Sequence, residues 1–326
     1  PAGPPAPPPG PPPQWQRTPP AAAEEVLLPP APSPPQQEAP QPPAPGGPAE
    51  EAYWASRVTS ACSSECGTRH CLYMKQGFAG GSGVQTWCSW AVQQLPRHAH
   101  WDSVDFSCNS LGDSEVVQVL SLMLELGIFP RSLDFHKNSI SCDGAQVLAN
   151  FMRHGGMAGH ALHELHLSHN SIAYSGALFI LEAVAACCLG DGRSAYPVPG
   201  RSRARPAPFW LRIEQNMIED AANLPDAAQS IMLSKRQEAG LCDAAHDCVP
   251  MICKVIQDGR GAKCNKDGCT QGSCAWTPLV HTRFLHLQRT PGSCAASSTS
   301  AASAVPSAPS TAGAPPPPPQ RRGLLR

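Results

Sequence analysis

Several signals that would settle a function at once are missing from this chain of 326 residues. Charge of one sign is not in excess. The 24 Lys plus Arg against 25 Asp plus Glu leave a formal net charge of −1, so no global electrostatic pull toward nucleic acid or an anionic membrane is expected. No run of eighteen apolar residues occurs, which excludes a membrane-spanning helix and a membrane partner on that basis. There is no GxxxxGK[ST] phosphate loop and no HExxH zinc helix. Gly80-Gly81-Ser82-Gly83 lacks the glycine two places after the serine that a nucleophile elbow needs. His154-Gly155-Gly156 has the letters of an oxyanion-hole motif, but it falls where a helical pattern ends and glycine is the ordinary stop. With no nucleophile or base to name, the chain reads as not an enzyme.

What is abundant is proline, and it is unevenly spread. Of 38 prolines, 21 lie in residues 1–50 and 8 from Pro291 onward. Both ends lack the spaced apolar residues needed to offset chain entropy, so 1–52 reads as a disordered Pro-rich leader and 291–326 as a disordered tail. The leader favours polyproline II, and short PxxP matches such as Pro5-Ala6-Pro7-Pro8 suit SH3- or WW-type grooves as well as a solvated spacer. The visible sequence has no segment ordered like a secretory signal, and Pro1 in place of Met is what a fragment or processed product would show.

Four segments between the tails align with one another. They are Trp101 to Leu111, Pro130 to Ile140, Leu162 to Ile172 and Pro208 to Ile218. Each carries the spacing xxxLxLxxNxL in apolar residues. The asparagines are Asn109, Asn138, Asn170 and Asn216; the paired apolar residues are Val104/Phe106, Leu133/Phe135, Leu165/Leu167 and Leu211/Ile213. Only Leu162 keeps leucine at the first position. The alternation predicts a short strand with both apolar side chains on one face. The asparagine would turn the chain inward and satisfy backbone groups left open by the turn, a structural role.

Between the strands the apolar residues recur at helical spacing. Val116, Val119, Leu120, Met123 and Leu126 follow Asp113; Val147, Leu148, Phe151 and Met152 follow Gly144; Leu178, Ile180, Leu181 and Val184 follow Gly176. Val84 to Leu95 reads as a capping helix before the first unit, and Leu224 to Gln237 as a closing one with Ile231 and Met232 inward. The spacing of 46 residues between Asn170 and Asn216 requires an insertion, supplied by a loop at 190–208 carrying Arg193, Arg201, Arg203 and Arg205. That loop reads either as a solvated excursion or as a contact for an acidic partner or phosphate.

This strand-and-helix unit resembles the leucine-rich repeat, in its ribonuclease-inhibitor-like class; the helix starts Cys142-Asp-Gly-Ala145 and Tyr174-Ser-Gly-Ala177 fit that class. The resemblance covers residues 101–232 and implies an α/β fold, a short right-handed solenoid of about four repeats. The expected organisation is leader 1–52, a Cys-containing irregular segment 53–83, a repeat domain 84–235, a Cys/His-rich segment 236–290 and tail 291–326. The resemblance also implies a protein partner, bound on the concave strand face by a scaffold or adaptor. Two alternatives stay open: a regulator of a small GTPase or of actin, for which Arg212 is the concave arginine, and a nucleic-acid binder using the Cys/His segment and the basic loop.

The outward strand residues would line the binding face: Asp105, Asp134, His136, Glu164, His166, Trp210, Arg212 and Glu214, with Ser103, Ser107, Ser132 and Ser168. Asp105 beside Asp134 should repel until a cation from a partner relieves them. His166 beside Arg212 should be biased toward neutral. Trp210 is the expected anchor, since exposed aromatics dominate binding energies. Parallel strand faces point alike, so Asp105, Asp134, His136 and His166 suit a mixed polar surface better than a metal or acid–base site.

The chain has 15 cysteines, an odd number that disfavours a complete disulfide framework and favours a reducing compartment, cytoplasm or nucleus. Cys108, Cys142, Cys187 and Cys188 lie in apolar periodic segments and read as small buried hydrophobes. Cys62, Cys66 and Cys71 with His70 precede the cap. Cys264-x4-Cys269-x4-Cys274-x6-His281 holds enough ligands for one zinc, although no CxxC occurs. Zinc, disulfides and a disordered Cys-rich segment remain three open readings there, and no other cofactor is expected.

Overall fold

The computed structural model describes residues 48–63, 67–78, 83–198, 206–241, 251–253, 278–283, 285 and 287–289. Among them stand α1 (Pro48–Ser56), β1 (Val58–Ser63), β2 (Gly67–Tyr73), α2 (Gly83–Gln94), β3 (His100–Asp105) and α3 (Asp113–Leu126). Then follow β4 (Ser132–Asp134), α4 (Cys142–Met157), β5 (Glu164–His166), α5 (Tyr174–Ala186), β6 (Phe209–Arg212), α6 (Leu224–Glu238) and β7 (Val280–Arg283). The seven strands make one open sheet in chain order. β1 and β2 pair antiparallel, and every later neighbour is parallel. Parallel neighbours need a crossover, and one helix, from α2 to α6, stands in each. The class is α/β.

Register follows the apolar alternation. Val104, Leu133, Leu165 and Leu211 lie side by side on β3 to β6. None is more than 2% exposed. Burying each is worth about 1.5–3 kcal/mol, and a slip of one residue would turn all four to water. Two places on, Phe106 and Phe135 stack at 5.5 Å and Trp87 of α2 meets Phe106 edge-on at 5.4 Å. Helix residues Val116, Leu120, Leu148, Met152, Ile180 and Val184 close the core from the other side.

The four asparagines are buried and act as expected, each joining two successive turns. Asn138 Oδ1 accepts from the backbone N–H of Asn109 and Leu111, while its Nδ2 donates to Phe106 and Phe135 carbonyls. Asn170 and Asn216 repeat the pattern one strand further on, accepting from Ile140 and Ile172 respectively. Beyond them Gln288 takes over: its Oε1 accepts from Asn216 N–H and its Nε2 donates to Leu285 and Ile213 carbonyls.

Several expectations need correction. The segment 53–83 is not irregular: it holds β1 and β2, and β2 runs parallel to β3. α1 begins at Pro48, inside the stretch expected to be disordered. Residues 280–283 of the Cys/His-rich segment form β7, the last strand of the sheet. Gly155 and Gly156 do not stop α4, which runs on to Met157. They are small because other chain must pass close: a Cβ on Gly156 would lie 2.3 Å from Cys187 Sγ. Of the four cysteines expected inside, Cys187 alone is buried; Cys108, Cys142 and Cys188 are half-exposed. Met232 points inward, whereas Ile231 is half-buried. The rest of the leader, the tail and much of 236–290 lie outside the described residues.

Candidate functional site: the polar face of the sheet

Because apolar residues alternate inward, the intervening residues of each strand form rows across the opposite face. Register places Ser103, Ser132, Glu164, Trp210 and His281 in one row. A second row runs Tyr73, Asp105, Asp134, His166, Arg212. A third, just past the strand ends, is held by backbone bonds from Cys108 N–H to His136, Lys137 N–H to Ser168, and His169 N–H to Glu214 carbonyls. All eight residues expected on this face are therefore brought to it. Their exposure differs, however: Glu214 and Ser168 are buried, at 6% and 1%.

The rows meet in a hydrogen-bonded network at β4 and β5. Asp134 Oδ2 lies 3.0 Å from His166 Nδ1, His166 Nε2 lies 2.6 Å from Ser168 Oγ, and Ser168 Oγ lies 2.7 Å from His136 Nδ1. A carboxylate only accepts, so His166 donates from Nδ1, and in the neutral tautomer with that proton its Nε2 accepts from the serine hydroxyl. The serine oxygen then accepts from His136 Nδ1–H, which leaves the lone pair on His136 Nε2. The two rings stack at 4.7 Å, and His169 meets His136 edge-on at 5.0 Å. Burial, with the neighbouring His166, pushes His136 down to about 4. Burial also lowers His169, helped by the cations of Lys137 and Arg289. His136 is therefore a neutral acceptor at pH 7.

The expected repulsion between Asp105 and Asp134 is met from within. Each carboxylate accepts the N–H two residues on, from Ser107 at 2.8 Å and His136 at 2.7 Å. Asp134 also has His166. Asp105 has no cationic partner among the described residues. His166 takes its place beside Asp134 rather than being governed by Arg212, because Arg212 turns to Glu214: Nη2 and Nε lie 2.9 and 3.2 Å from Glu214 Oε1. Trp210 is half-buried, not freely exposed, and packs edge-on against His281 at 5.1 Å. Tyr73 is the exposed aromatic of the face, at 42%. Sequence reading missed it because the short stretch Leu72-Tyr73-Met74-Lys75 lacks the asparagine signature that marked the other strands.

Asp134, His166 and Ser168 stand in the carboxylate–imidazole–hydroxyl order of an acyl-transfer triad, with both imidazole nitrogens correctly assigned. Burial decides against that chemistry. Ser168 lies beneath two imidazole rings at 1% exposure, where no carbonyl carbon can reach its oxygen. Its hydroxyl proton and lone pair are both already engaged by histidines. The arrangement holds imidazoles in place; it does not expose a nucleophile.

Zinc gains little support from the part that can be seen. Cys264, Cys269 and Cys274 lie outside the described residues, and His281, their expected companion, is fully buried within β7 and pushed down to about 4 by that burial. Among the described residues no group of three metal-ligating side chains forms, and the eight described cysteines are free thiols. In the basic loop Arg193 is paired with Asp191, while Arg201, Arg203 and Arg205 lie outside the described residues. No helix among the described residues is long and apolar enough to cross a membrane. Comparison with models of known protein families and with curated proteins finds no match for this chain.

Proposed function

We propose that the sheet and its crossover helices are a short leucine-rich-repeat solenoid of the ribonuclease-inhibitor-like class, and that it serves as a non-enzymatic scaffold binding a protein partner on the polar strand face. The asparagine ladder and the shared register of β3 to β6 support the repeat reading, with β7 and Gln288 as a further, degenerate unit. The observation that carries the function is the face itself. Its rows combine charged, imidazole and aromatic side chains held rigidly by neighbours, the makeup of a recognition surface rather than of a reacting centre. The GTPase- or actin-regulator reading is weaker, because Arg212 is already committed to Glu214.

Affinity capture with the full chain as bait tests this. Trp210→Ala combined with Arg212→Ala should abolish retention of a defined protein while circular dichroism shows the fold intact. Retention of the same protein by the double variant discards the strand face as the binding surface.

A further inference from the structure

We infer that the part of this face around Tyr73, Asp105 and His136 receives an arginine side chain of the partner. The inference rests on the scaffold reading and names the chemistry that the face selects. Three observations converge. Asp105 accepts only the Ser107 amide and faces no cation among the described residues, although it sits in the middle of the sheet. Tyr73 is its register neighbour on β2 and offers an aromatic ring that is 42% exposed. The phenol hydrogen-bonds with the side chains of Cys71 and Thr59. His136 presents a bare Nε2, because the hydrogen-bond order Asp134–His166–Ser168–His136 consumes its Nδ1 proton.

The Asp105 carboxylate and the His136 Nε2 accept, and the Tyr73 ring face is electron-rich. Tyr73 and Asp105 are register neighbours on strands about 4.8 Å apart, within reach of one planar guanidinium with its five donors, and His136 lies diagonally beyond Asp105 at about 7–8 Å, one more acceptor on the far side of the carboxylate. A guanidinium can stack on Tyr73 while donating to Asp105, a combination a lysine ammonium matches poorly. Lys75, two places on from Tyr73, is exposed and forms no ion pair with Asp105, and the remaining charges nearby are engaged. Arg69 is bound to Asp102, Arg212 to Glu214, and Asp134 to His166. The cations of Lys137 and Arg289 act on His169, and Lys137 also acts on His136, so the positive potential there favours the arginine nearer Tyr73 and Asp105.

The experiment uses the full chain and three fluorescent eight-residue Gly/Ser peptides carrying two arginines, two citrullines or two lysines. Anisotropy should show saturable binding of the arginine peptide, with the uncharged citrulline peptide about tenfold or more weaker and the lysine peptide in between. Asp105→Asn keeps the acceptor for the Ser107 amide but loses the charge, and should weaken arginine binding by about tenfold; Tyr73→Ala should do so by about threefold. Glu125→Gln with Asp143→Asn, which removes two charges from the helical layer, should leave it unchanged. Equal binding of the arginine and citrulline peptides, no saturation, or an Asp105→Asn variant that binds like the parent overturns the assignment. If a captured protein is still lost through Trp210→Ala and Arg212→Ala, the scaffold reading survives that result and the arginine site alone is refuted.

Discussion

Replacing Asn170 tests the physical basis of the stacked strands most directly. The side chain is fully buried. Its Oδ1 accepts from Ile140 N–H at 3.0 Å, and its Nδ2 donates to Phe135 and Leu167 carbonyls at 2.9 and 3.0 Å. In Asn170→Ala the Ile140 N–H loses its acceptor, a cost of about 1–3 kcal/mol. The two carbonyls fare better, since Phe135 keeps a bond from Asn138 and Leu167 one from Asn216. Losing one of two donors at each, plus the small cavity, adds about 1–2 kcal/mol, for a total of about 2–5 kcal/mol. That is a large share of the stability of an ordinary domain. Asn170→Asp discriminates further. It restores the acceptor but sets carboxylate oxygen against two carbonyls in a buried site, so it should be no more stable than alanine at pH 7. Protonation at low pH gives it one donor, so its deficit relative to the parent at the same pH should shrink. Urea unfolding followed by tryptophan fluorescence measures all three chains. A loss below about 1 kcal/mol for alanine, or an aspartate variant near parental stability at pH 7, would refute the ladder argument.

Acid should weaken the fold before it protonates most carboxylates. His136 and His281 titrate near 4 in the folded chain, below the unfolded imidazole value of about 6.5. The unfolded state therefore binds more protons between these limits, and stability falls as pH drops from 7 toward 4. Fully buried His281 contributes on the order of 3 kcal/mol of this loss and half-exposed His136 less, readable as a declining urea midpoint at pH 7, 5.5 and 4. Gly144→Ala should destabilise by about 1–3 kcal/mol despite alanine's better helix propensity, because its Cβ would sit 2.4 Å from Asp113 Oδ1 and 2.7 Å from Ile140 Cγ2. An unchanged melting temperature contradicts this. Native alkylation followed by mass spectrometry should label exposed Cys62 early and Cys187 last, since burial raises the latter's thiol to about 12 and removes its thiolate.

Sequence pattern alone was enough for α2 to α6 and for β3 to β6, because apolar alternation and an inward asparagine act locally: each strand and helix must bury the same positions wherever it sits. It was enough, too, to name the rows of the polar face. It did not reveal α1, β1, β2 or β7, none of which is followed by the asparagine turn. The role of Gln288 at the far end became visible only when its amide was seen closing the ladder over Asn216. Nor could it say which charges would cancel. Arg212 chose Glu214 and His166 chose Asp134 by distances of about three ångströms that depend on stacking geometry. Ser168 was an outward residue by parity, yet neighbouring imidazoles cover it. Tertiary structure decided that Asp105 stands without a cation, because pairing is settled between strands some thirty residues apart in sequence, where local pattern carries no information.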